Sequence, residues 1–143
     1  MQHERYVGFE IKALSNLLRR RLWGTEDHPH GVLTEIEGIL IGYLCHSLDR
    51  EVYQKDLEQA LFIRSSTASR LLTRLEDQGL VQRSPGTKDA RMKRITPTPK
   101  ALALNEEAER RIAAAEALLT RGLSREEIDC FLATAEKLKK NLI

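Results

Sequence analysis

The sequence predicts a mostly α fold carrying one small β-hairpin, and three observations lead there. Leu and Ala are abundant while 5% of residues are aromatic, and the few Gly and Pro cluster between helix-favouring runs. Apolar residues recur at spacings of three and four over long segments, the period of an amphipathic helix. Only Leu80–Arg83 and Arg91–Pro97, separated by the turn-rich Ser84-Pro85-Gly86-Thr87-Lys88-Asp89, read as strands.

The first helix is expected from about His3 to Trp23, where Val7, Ile11, Leu14, Leu18 and Leu22 form one stripe and Arg19–Arg21 suit the C-terminal end. Thr25–Leu33, with Asp27, Pro29 and Gly31, reads as a loop. Thr34 with Glu37 is a capping-box pair that opens a second helix running to about Ser47, apolar nearly all round and therefore central. Asp49 and Arg50 form a turn, and a short third helix spans about Gln54 to Leu61. After a break at Phe62 and Ile63, Ser65 or Ser66 can cap a fourth helix, which Gly79 ends as a left-handed cap. The hairpin follows. Pro99 starts an Ala-rich fifth helix reaching Arg121, Gly122 breaks it, and Ser124 with Glu127 opens a sixth whose apolar face includes Ile128, Phe131, Leu132 and Leu142.

At 143 residues and 41% hydrophobic content, the chain suits one domain with a single core. Met1–Glu10 lacks the apolar centre of a secretion signal and no run approaches a membrane span, so a cytoplasmic protein is expected, with no membrane partner. Cys45 and Cys130 lie far apart without ligand spacing and read as inert, reduced core cysteines. Charge is unevenly spread. Residues 64–100 carry nine Lys/Arg against three Asp/Glu, a net +6, between flanks of −3 and −1. That is the footprint of a surface for a polyanion.

The fourth helix is the most informative segment. At 100° per residue, Ala68, Leu71, Leu72 and Leu75 fall on one side, and Ser66, Thr67, Ser69, Arg70, Thr73 and Arg74 on the other. A solvated face normally mixes acids with bases; from Ser66 to Arg74 this one has no carboxylate. Helices three and four then form a helix-turn-helix whose second member can enter a major groove, with the hairpin as its wing. Arg70 is the leading base reader, Ser65, Thr67 and Arg74 are the leading phosphate contacts, and Ser66 and Ser69 share the first turns. Lys88, Arg91, Lys93 and Arg94 in the wing can reach a neighbouring minor groove, while Asp89 orients Arg91. The fold class is thus an α+β winged helix with double-stranded DNA as the partner.

The run Thr67-Ala68-Ser69-Arg70-Leu71-Leu72-Thr73-Arg74-Leu75-Glu76-Asp77-Gln78-Gly79-Leu80-Val81-Gln82-Arg83, then Asp89-Ala90-Arg91, then Thr98-Pro99-Lys100-Ala101, closely resembles the multiple-antibiotic-resistance-regulator (MarR) family. With Leu33-Thr34 and the flanking helices, the resemblance extends over essentially the whole chain. It implies a homodimer in which residues 1–24 and 100–143 interlock, and in which the winged lobes, 33–99, read a pseudo-palindromic operator. It also implies a repressor released by a small phenolic or amphipathic effector. The periodic stripes of the first and last two helices support pairing independently, since a small chain has little else on which to bury them. Pro97 and Ala101 depart from the family's usual Leu and Gly, and the cysteine of its redox-sensing branch is missing from the first helix.

Other chemistry is weakly represented. Trp23, Tyr43 and Tyr53 are candidates for lining an effector pocket, although such residues more often fill a core or an interface. His28, His30, Glu35, Glu37 and His46 lie near one another, but the helix after the wing has no His to complete a zinc site, so no metal or cofactor is expected. No nucleophile pairs with a His and no Gly-rich phosphate loop exists, which argues against an enzyme. The alternative of another class is a winged-helix module docking an acidic protein.

Overall fold

The computed structural model describes residues 5–23 and 33–143. Their order is α1 (Val7–Trp23), α2 (Glu35–Cys45), α3 (Gln54–Leu61), α4 (Ser65–Asp77), β1 (Val81–Pro85), β2 (Lys93–Pro97), α5 (Pro99–Leu119) and α6 (Arg125–Leu142). The segment expected as a loop before α2 lies outside the described residues except Leu33, and His28 and His30 with it. No described helix is long and apolar enough to cross a membrane.

Local chemistry sets most boundaries. Thr34 accepts from the Glu37 amide at 3.4 Å, Thr98 from that of Ala101 at 3.3 Å, and Ser124 from that of Glu127 at 3.1 Å, so each helix start has one orphan donor satisfied. The expected box at Thr34 is only half made, because the Glu37 carboxylate turns inward instead of back to the cap. α4 ends in a Schellman arrangement. Gly79 stands at φ +72°, its amide bonds to Glu76 O at 3.0 Å, and the Leu80 amide bonds to Leu75 O at 2.9 Å. α2 stops at Cys45, short of the expected Ser47, whose hydroxyl donates to Tyr43 O at 2.7 Å.

β1 and β2 pair antiparallel with Arg83 opposite Ile95. The second strand starts later than expected, since the Met92 amide bonds to Asp89 O at 3.1 Å and closes Asp89–Met92 into a turn. A third segment joins the hairpin: Tyr53 bridges Arg94, and Ile95 donates to Val52 O at 2.7 Å.

The core lies under the hairpin and between α2, α3 and α4. Leu40, Ile41 and Leu44 of α2 meet Leu57, Leu72, Leu75, Leu80, Val81 and Ile95, all essentially inaccessible. Ala101 is fully buried there, so the methyl that replaces the family's usual glycine is accommodated. Thr98 ties α5 to this lobe by donating to Gly79 O at 2.7 Å, and Lys100 adds a bond to Gln78 O at 3.0 Å. In contrast, α6 has no buried residue, so Cys130, expected in the core, is exposed because its helix buries no face among the described residues, and Phe9, Ile11 and Leu17 of α1 are exposed too.

Candidate nucleic-acid interface

α4 presents its chemistry because the core consumes its apolar residues. Ala68, Leu71, Leu72 and Leu75 are buried, which turns Ser66, Ser69, Arg70, Thr73 and Arg74 outward and leaves Thr67 at the margin. The helix begins at Ser65 behind Arg64 as N-cap, with no side-chain cap bond. Neither serine caps it, so the expected cap at Ser65 or Ser66 is corrected to Arg64, and both side chains stand exposed in the first turn. A cation beside the positive end of the helix dipole, with no acid in the first turn, is an arrangement that an external anion relieves. Arg64 is absent from the sequence-derived set; the missing acid ahead of the hydroxyl run was its signal.

Arg70 is exposed and enters no ion pair among the described residues. Arg74 differs. Its Nε lies 3.1 Å from Oε1 of Glu37, a carboxylate with 1% exposure whose Oε2 has no partner among the described residues. Half of the Arg74 side chain still reaches solvent, so one guanidinium faces a buried acid on one side and the outside on the other.

The hairpin is fastened to this helix by Arg83, which donates to Thr73 Oγ1 at 3.0 Å and approaches Glu76 at 3.7 Å. At the wing tip, Arg91 is 92% exposed and binds both oxygens of Asp89 at 3.2 and 3.3 Å. Asp89 also accepts from the Arg91 amide at 3.0 Å, and these side-chain and backbone bonds hold its carboxyl below the usual range. Lys88 and Lys93 are exposed, whereas Arg94 is half-buried and turned toward Glu51, 3.8 Å away.

Two of the three aromatic candidates have described side chains. Trp23 ends α1 and its side chain lies outside the described residues. Tyr43 sits under the Arg50 guanidinium, 5.8 Å from ring centre to Cζ, and Tyr53 packs against the wing. A cavity of about 380 Å³ beside α2 is instead aliphatic. Leu18 and Leu22 of α1, Ile39 and Ile41 of α2, and Leu104 and Ile112 of α5 wall it. Its polar corner holds Asn105, whose amide donates to Glu109 at 2.9 Å, and His46, 2.6 Å from the same carboxylate. Desolvation, with a smaller push from Glu109, raises the neighbouring Cys45 thiol above its ordinary value and keeps it protonated at neutral pH.

Residues 33–92 match the model of the MarR family. The transcription regulator MarR from Oenococcus oeni PSU-1 is 30% identical, with 94% of this chain and 99% of that one covered and a TM-score of 0.80. The Staphylococcus aureus regulator MepR in its complex with DNA is 25% identical over 98% of this chain and 100% of its own, with a TM-score of 0.83. MepR in its DNA-binding conformation superposes with a TM-score of 0.86 at 24% identity, covering 97% and 100%. Six helices with an intervening two-stranded wing and full-length similarity at this level together establish that the chain belongs to the MarR family.

Proposed function

We propose that this chain is a sequence-specific DNA-binding transcription regulator, working as a homodimer on a pseudo-palindromic operator and repressing until a small amphipathic effector releases it. The observation that carries the reading is the N-terminal half of α4, where exposed Ser65, Ser66, Ser69 and Arg70 stand without a carboxylate beside a wing bearing exposed Lys88, Arg91 and Lys93. Arg70 reads a base edge, since an unpaired guanidinium can bind guanine bidentately. The hydroxyls, together with Thr67, position the backbone, and the wing cations follow a minor groove. The DNA complex of MepR supports the same use of this fold.

Exposed apolar residues on α1, α5 and α6, among them Phe9, Ile112 and Phe131, support pairing of two chains. The aliphatic cavity lies where α1 and α5 meet α2, so an occupant there would bear on both the pairing helices and the reading lobe.

Selection of bound fragments from random duplexes, followed by a salt titration on the enriched sequence, tests the reading. The expected result is one enriched inverted repeat and an affinity falling by roughly 0.9 log units per phosphate contact for each log unit of salt. Binding without sequence enrichment, together with a shallow salt response, would point to an acidic protein partner instead.

A further inference from the structure

Glu51 lies in the connection between α2 and α3, outside the cationic surface, yet its side chain is engaged by the wing. Thr87, 36 residues further along the chain, donates to Oε1 at 2.6 Å. The Tyr53 hydroxyl donates to Oε2, and Arg94 of β2 stands 3.8 Å from Oε1. Tyr53 also presses on the loop: a Cβ at Gly86 would lie 2.9 Å from its hydroxyl and 2.8 Å from Asp89 O, so only glycine fits beneath it. The backbone bond from Ile95 to Val52 O completes a grip on the hairpin from one side.

We infer that Glu51 is a positioning residue for DNA binding: it anchors the root of the wing loop through Thr87 and Arg94, and so fixes where Lys88 and Arg91 stand relative to α4. A two-stranded hairpin is marginal by itself, and a seven-residue loop at its tip samples many conformations unless something outside holds it. Glu51 supplies that hold immediately before Lys88. Ordering the loop in advance removes a cost that binding would otherwise carry.

Charge and positioning predict opposite signs here, which makes the inference decidable. Simple electrostatics holds that a carboxylate near a polyanion site is unfavourable and that neutralising it also frees Arg94, so Glu51→Gln would tighten binding. Positioning holds that it weakens binding. The inference rests on the DNA-binding reading above, so the experiment has one arm with DNA and one without. On the selected operator, Glu51→Gln and the charge-neutral Thr87→Val are each expected to lower affinity about tenfold, with the double variant no weaker than either single. The losses are expected to shrink below about twofold when Arg91 is already Ala, because the wing then has less to deliver. In the free protein, amide hydrogen exchange across residues 86–92 is expected to accelerate in both single variants while α4 amides keep their protection. Tighter operator binding by Glu51→Gln, additive losses, or unchanged exchange at the wing would each overturn the inference. If the wild-type protein selects no operator, the DNA reading fails by itself, and the exchange arm still decides whether Glu51 holds the wing.

Discussion

Arg74 illustrates how one residue answers to two anions. Its outward half suits a phosphate, but its Nε is committed to a carboxylate with 1% exposure, and no other group serves Glu37 Oε2 among the described residues. Removing one member of a buried pair leaves the other uncompensated, which is costly even where the pair itself adds little net stability. Arg74→Ala is therefore expected to lower unfolding stability by about 2–3 kcal/mol, below the range for a fully buried pair because the arginine is half exposed. Urea unfolding measures this, and Glu37→Gln in the same background is expected to restore most of the loss; a variant that only weakens DNA binding would contradict the strut role. Phe62 makes a second residue-scale case. It occupies the left-handed region at φ 54° in the helix-turn-helix turn and is 60% exposed, so its strain is offset by little burial. Phe62→Asn, which tolerates that conformation, is expected to raise stability by about 0.5–1 kcal/mol in the same assay. A lower stability would mean that the ring packs in a way its exposure hides.

At the scale of elements, the proposed DNA-binding reading gives α4 and the wing two contacts of different kinds. α4 is held rigidly by four buried side chains and the Schellman end, whereas the wing tip depends on a few polar anchors. Arg91→Ala is thus expected to weaken operator binding and flatten the salt slope by about one unit, while Arg70→Ala costs about 1–3 kcal/mol and relaxes discrimination at one base pair. Equal losses for Arg70→Ala on all duplexes would reassign it to the backbone. The wing anchor is also expected to be acid-sensitive. Hydrogen bonds from Thr87 and then Tyr53, aided by Arg94, hold the Glu51 carboxyl below the ordinary glutamate range. A carboxyl with a depressed folded value stabilises the structure above its unfolded value and loses that contribution as pH falls through the folded one. The anchor is therefore intact at neutral pH and released only on the acid side of the ordinary glutamate range. NMR shifts of Gly86 and Thr87 followed against pH check this, and Glu51→Gln is expected to abolish the transition.

Over the whole molecule, the balance of buried and exposed apolar groups points beyond one chain. The winged lobe has its own core, but α6 buries nothing, and Phe131 and Leu132 are 62% and 56% exposed. Two such faces brought together remove apolar area from water at roughly 25 cal/mol per Å². The thermal midpoint is expected to rise with protein concentration, and Phe131→Glu is expected to shift sedimentation toward monomer and lower that midpoint. A concentration-independent midpoint with a stable monomer would remove the pairing argument.

What the amino-acid order by itself determined was local. The helical periods, the split of α4 into apolar and polar sides, the caps at Thr34 and Ser124 and the left-handed Gly79 all follow from interactions within a turn or two, which spacing records. Tertiary structure decided the rest. The cavity beside α2 is walled by aliphatic residues from α1, α2 and α5 that no motif singles out. Glu37 scans as half of a capping box and becomes the buried partner of Arg74. Glu51, which no motif or spacing singles out, is engaged by Thr87 of a wing that begins thirty residues later. The physical reason is common to these cases: a charged side chain takes its role from whichever opposite charge or donor the fold brings within about 4 Å, and that neighbour lies far away along the chain.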